Sequence, residues 1–72
     1  MSSSAERLRI LRKEKNMTQT QMAEQFHQSL RAYQYYEAGQ SYPEFPHLIA
    51  LADFFDVSLD YLVGRSDDRQ RR

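Results

Sequence analysis

The chain has 72 residues, which leaves no room for a second domain beside a first. It carries no cysteine, so neither a disulfide nor a thiolate metal site can staple it, and no apolar run approaches the roughly 18 residues of a membrane span. Hydrophobic residues make up 40% and charged residues 28%, with two glycines and two prolines, which excludes a linker, a collagen-like repeat or a disordered chain. The opening MSSSAERLRI holds no apolar signal stretch. Together with the missing cysteines, this fits a cytoplasmic protein.

Charge balances, ten basic to ten acidic, but unevenly. Residues 1–40 hold Arg7, Arg9, Arg12, Lys13, Lys15 and Arg31 against Glu6, Glu14, Glu24 and Glu37. Residues 41–72 hold four arginines against Glu44, Asp53, Asp56, Asp60, Asp67 and Asp68, and no lysine or arginine falls between Arg31 and Arg65. Such a domain can turn its basic half toward a polyanion. The same arginines can equally do no more than solvate a helix.

The punctuation is helical throughout. Ser3 to Glu6 matches a capping box, and Leu8 and Leu11 share one face of a helix over about residues 4–15. Thr18 and Gln21 form a second box, with Met17 and Met22 at staple positions and Met22, Ala23 and Phe26 as the apolar stripe of a helix over about 18–26. After a break at His27-Gln28, Ser29 caps a third helix over about 29–37, with Tyr33 and Tyr36 facing the core and Gly39 ending it in a left-handed conformation. Pro46 suits the first turn of a fourth helix, whose period runs through Leu48, Ile49, Ala52 and Phe55 to Asp56. Ser58 caps a fifth, short helix that Gly64 closes. No segment alternates with period two, so the fold class is all-α, a compact five-helix domain over residues 1–64. Residues 65–72 have no apolar side chain and read as a frayed polar C-terminal tail.

Helices 2 and 3, separated by two or three residues, fit a helix-turn-helix, whose second helix enters the DNA major groove. Once the apolar positions are removed, the outer face of helix 3 offers Leu30, Arg31, Gln34 and Tyr35, with Gln28 just before it and no carboxylate until Glu37. Arginine can pair bidentately with guanine and glutamine with adenine, and an exposed Leu30 can meet a thymine methyl.

Over residues 6–64 the sequence resembles the Cro and phage-repressor type of helix-turn-helix, the XRE family of bacterial regulators. Thr18-Gln19, Met22-Ala23, Tyr33, Tyr36, Glu37 and Gly39 carry the resemblance without a gap, continued by Pro43, Leu48, Leu51-Ala52, Phe55, Val57-Ser58-Leu59-Asp60 and Leu62. Two positions depart from the pattern. His27 stands where glycine is usual, which forces either a non-glycine left-handed residue or a reshaped turn. Gln28 replaces an apolar residue and either costs a core contact or is free to reach DNA.

The resemblance implies a lambda-repressor-like fold and a transcriptional repressor that binds a palindromic double-stranded DNA operator as a homodimer. The DNA contacts it implies are Gln19 on phosphate, Ser29, Leu30, Arg31, Gln34 and Tyr35 along helix 3, and Gln40 and Ser41 after it, to which the residue type of Gln28, just before that helix, adds a further candidate. Arg12 and Glu37 match a structural salt bridge. The expected dimer seam is Phe54, Tyr61 and Val63, apolar groups beyond what a five-helix interior needs. An alternative reading is a protein-interaction module, an antitoxin or anti-repressor on the same fold. No enzyme constellation is present: His27 and His47 lack ligands at metal spacing, and no cofactor, small-molecule ligand or membrane partner is implied.

Overall fold

Four of the five helices begin at a hydroxyl that satisfies an otherwise orphaned amide. In the computed structural model, which describes residues 3–71, the helices are α1 (Ser4–Glu14), α2 (Gln19–Gln25), α3 (Leu30–Ala38), α4 (Phe45–Phe55) and α5 (Leu59–Leu62). Ser3 accepts from the Glu6 amide at 3.2 Å, Ser29 from Ala32 at 3.1 Å and Ser58 from Tyr61 at 3.0 Å. At α2 the box is reciprocal. Thr18 Oγ1 accepts from the Gln21 amide at 3.1 Å while Gln21 Oε1 accepts from the Thr18 amide at 2.8 Å. Only α4 starts without such a bond, from Glu44, with Pro46 in its first turn.

The helices stop through left-handed residues. Gly39 ends α3 at φ 75°, and its amide and that of Gln40 return to the Tyr36 and Tyr35 carbonyls. Asn16, His27 and Asp56 take the same conformation without being glycine, at φ 57°, 57° and 55°. His27 thus keeps the helix-turn-helix turn by accepting a backbone state that asparagine, aspartate and histidine tolerate better than most side chains.

Packing is all-helical, with no strand among the described residues. α2 lies on α3, α3 and α5 both lie on α1, and α4 lies on α5. Tyr33, Met22 and Leu51 are fully buried at the centre, with Leu8, Leu62, Ala52 and Val57 around them. These residues form one shared core, in which α3 lies directly on α1 and α2.

The apolar side chains expected at a dimer seam are not all free of partners within the chain. Tyr61 is 6% exposed, with the Arg7 guanidinium 4.0 Å above its ring and that of Arg69 at 5.0 Å. Phe54, half-buried, packs edge-on against Phe26 at 5.5 Å and against Phe55 at 5.2 Å, and Val63, just after α5, is half-buried as well. The tail does not fray as expected. Arg7 is buried, and its guanidinium donates to the Tyr61 carbonyl at 3.2 Å, the Ser66 carbonyl at 3.0 Å and Asp67 at 2.6 Å. Arg69 forks onto Glu14 at 2.8 and 2.6 Å, its carbonyl takes the Ser58 amide at 2.9 Å, and Arg71 pairs with Asp53. Residues 65–71 therefore form a strap over α1 and α5, held because a buried guanidinium needs acceptors.

Candidate nucleic-acid interface

The site is built outward from one buried carboxylate. Glu37, in the last turn of α3, is only 3% exposed. A carboxylate offers about four acceptor positions, and all are taken. Oε2 accepts from Arg12 Nε at 2.7 Å and from the Tyr33 hydroxyl. Oε1 accepts from Arg12 Nη2 at 3.1 Å and from Gln19 Nε2 at 3.2 Å. Burial pushes the Glu37 carboxyl up, but the bonds from Arg12, Tyr33 and Gln19 outweigh it and hold the group below its ordinary 4.5. Burial, and then the bond to the Glu37 carboxylate, push the Tyr33 hydroxyl well up, and the Glu37 bond raises the Arg12 guanidinium. Arg12 also donates to the Met17 carbonyl at 2.9 Å, and Arg9 donates to the Glu37 carbonyl. Two arginines of α1 thus fix the end of α3 and the start of α2 together.

From this hub Gln19 reaches the surface. Its Oε1 accepts from Gln34 Nε2 at 3.2 Å, which joins the first residue of α2 to the middle of α3. Beyond that contact the outer side of α3 is uncovered. Leu30 is 40% and Tyr35 41% exposed, and Ser29, Arg31 and Gln34 are exposed as well. The Arg31 side chain makes no hydrogen bond or ion pair with the described residues, so its guanidinium is available to a partner. Leu30 and Gln34 lie one turn apart, as do Arg31 and Tyr35, giving two adjacent stripes. After α3, Gln40 is exposed and Ser41 half-buried, their amides turned back onto the Tyr35 carbonyl at 3.0 and 3.4 Å, with Tyr42 standing out at 72% exposure.

Gln28 does not join this face. It is half-buried, its Nε2 donates to the Tyr36 hydroxyl at 2.8 Å and its Oε1 is buried without a partner. The left-handed His27 directs it inward, toward the ring pair of Tyr36 and His47 at 5.7 Å. Sequence reasoning missed three participants: the Tyr33 hydroxyl on Glu37, Arg9 on the Glu37 carbonyl, and the partnership of Gln19 with Gln34. The i, i+4 spacing of Tyr33 and Glu37 could have revealed the first. The other two join residues far apart in the chain, at no spacing that marks them.

Residues 8–62 match the family model described as Helix-turn-helix. The chain belongs to the XRE-type helix-turn-helix transcriptional regulators. This helix-turn-helix chain is 42% identical over 67 residues to the cryptic phage CTXphi transcriptional repressor RstR of Vibrio cholerae, covering 90% of itself and 60% of that protein. It is 41% identical to BcrR, an HTH-type transcriptional activator of Enterococcus faecalis, over 82% of itself but 29% of that protein. A crystal structure of a transcriptional regulator from Listeria innocua superposes with a TM-score of 0.81 at 39% identity, covering 86% of this chain and 58% of the other. The chain spans about three-fifths or less of these relatives. Among the described residues, no helix is long and apolar enough to cross a membrane.

Proposed function

We propose that this helix-turn-helix domain reads double-stranded DNA sequence-specifically and represses transcription in the cytoplasm, by occupying promoter DNA as a homodimer on a palindromic operator. The observation that carries the reading is the uncovered outer side of α3, with Leu30, Arg31, Gln34 and Tyr35 displayed on a helix braced by Glu37. Major-groove entry by α3 sets Arg31 to pair with guanine, Gln34 with adenine and Leu30 against a thymine methyl. Gln19, Ser29, Gln40 and Ser41 flank that face, where phosphate oxygens pass. Gln19 keeps one amide proton for a phosphate after serving Glu37. The name of RstR supports repression. The homodimer rests on operator arithmetic: one such helix covers too few base pairs, and two-fold pairs match half-sites about 34 Å apart.

Selection of bound duplexes from a random pool, followed by a salt series on the selected site, tests the proposal. Affinity should fall linearly on a log–log plot, by about 0.9 per phosphate neutralised. Arg31→Ala should cost roughly 1–3 kcal/mol and relax the preference at one base. Selection that enriches no sequence would favour the interaction-module reading, and Arg31→Ala binding with unchanged affinity and preference would remove α3 as the reading helix.

A further inference from the structure

We propose that Gln19 is a positioning residue for base choice: by holding one end of its amide on Glu37 and the other on Gln34, it fixes which way the Gln34 amide faces and so selects adenine over guanine. This rests on the DNA-reading role of α3 proposed above.

The polarity follows from charge. Glu37 can only accept, and three of its four acceptor positions are filled by Arg12 Nε, Arg12 Nη2 and the Tyr33 hydroxyl. The fourth, on Oε1, therefore demands a donor, so the NH2 end of the Gln19 amide must face Glu37, at 3.2 Å. Its carbonyl end is then left for Gln34, and the only Gln34 group that can meet a carbonyl is its own NH2, again at 3.2 Å. A buried carboxylate thus sets the direction of two amides in series. Gln34 is left with one free N–H and its Oε1, a donor and an acceptor side by side on the exposed face. Adenine presents N7 as acceptor and N6 as donor in the major groove, which matches this pair. Guanine presents two acceptors, N7 and O6, and would leave Gln34 Oε1 facing an acceptor. An amide released from Gln19 could turn its NH2 outward and satisfy guanine as well. Gln19 need not touch a base to have this effect.

The test uses the full chain in three forms: unchanged, Gln34→Ala and Gln19→Ala. Gln19→Leu serves in place of Gln19→Ala if the smaller side chain unfolds the domain, since it breaks the same two bonds. Random-pool selection with Gln34→Ala identifies the operator base whose preference vanishes. At that base, Gln19→Ala should lower the adenine-over-guanine preference by about tenfold, within the span of one bidentate contact, and leave other positions unchanged. In the DNA-free protein the Gln34 side-chain amide resonances should move on substitution of Gln19. An even loss of affinity for all sequences, with the preference intact and the salt slope unmoved because a neutral amide neutralises no phosphate, would overturn the proposal and make Gln19 a phosphate contact only. Immobile Gln34 resonances would overturn it without DNA. If those resonances move but the unchanged protein selects no sequence, the DNA-reading role has failed, and with it this use of the Gln19 contact.

Discussion

At the scale of single residues, the α4 histidine packed against Phe26 and Tyr36 reports on burial. His47 is half-buried, its ring 5.1 Å from Phe26 and 5.7 Å from Tyr36, and its Nε2 has no partner. Burial lowers its pKa below the ordinary 6.5, so the folded protein holds it neutral where the unfolded chain already binds a proton. Stability from this group is complete above 6.5 and is lost as pH falls from there through the folded value. Glu37 acts lower. Its folded carboxyl lies below 4.5, so its contribution is present above 4.5 and drains as pH falls through the folded value. Acidification should therefore lower the urea midpoint in two steps, the first from His47. His47→Leu should abolish the decline that begins near 6.5 and keep the one below 4.5. An upper decline of equal size in the variant would show that another group carries it. Gln28 marks what sequence could not tell at this scale. Whether its amide faces DNA or Tyr36 depends on the left-handed turn at His27, and residue type alone leaves both open.

Individual helices were the most legible objects in the sequence, because their ends are local chemistry. Thr18, Ser29 and Ser58 each announce a helix that begins one residue later. The start of α4 depended on Pro46 alone, since Glu44 makes no cap bond. The Arg12–Glu37 pair came from family resemblance, and the structure has its atoms at 2.7 Å. The Gln19–Gln34 contact joins α2 to α3 across the turn, at no spacing that pattern reading inspects. The local chemistry matters most for α2. It has seven residues, well under the roughly 12–15 an isolated helix needs even to be marginal in water. Its existence depends on packing of Met22 and Ala23 and on the Thr18 box. Thr18→Ala should cost about 1 kcal/mol in chemical denaturation. Thr20→Ala, in the first turn of α2 and exposed, should cost nothing or stabilise slightly, since alanine is the better helix former. Equal losses from the two changes would mean the box contributes nothing beyond helix propensity.

At the scale of the whole molecule, the strap decides how the two ends of the chain meet. Its contacts run from residue 7 to 67, 14 to 69 and 53 to 71, distances at which composition reveals only a polar tail. The exposed pairs contribute little each: Arg69 and Glu14 are both nearly half exposed, and such pairs are worth about 0–1 kcal/mol. Arg7 is different, because its guanidinium side chain is 4% exposed while its partner Asp67 is 96% exposed. Cutting the chain after Gly64 takes away Asp67 and the Ser66 carbonyl together and leaves a buried charged donor short of two acceptors. Such a loss costs about 1–3 kcal/mol. A domain this small has only about 5 kcal/mol in all, and each kcal/mol moves its melting temperature by about 4–8 °C. Truncation should therefore lower the melting temperature by about 10 °C, and Asp67→Asn by less, because water reaches that carboxylate. The attribution to Arg7 is testable separately. In an Arg7→Met background no buried guanidinium remains to be abandoned, so the same truncation should cost clearly less there. Equal costs in the two backgrounds would assign the strap's contribution to its surface ion pairs and to the Ser58–Arg69 backbone bond instead.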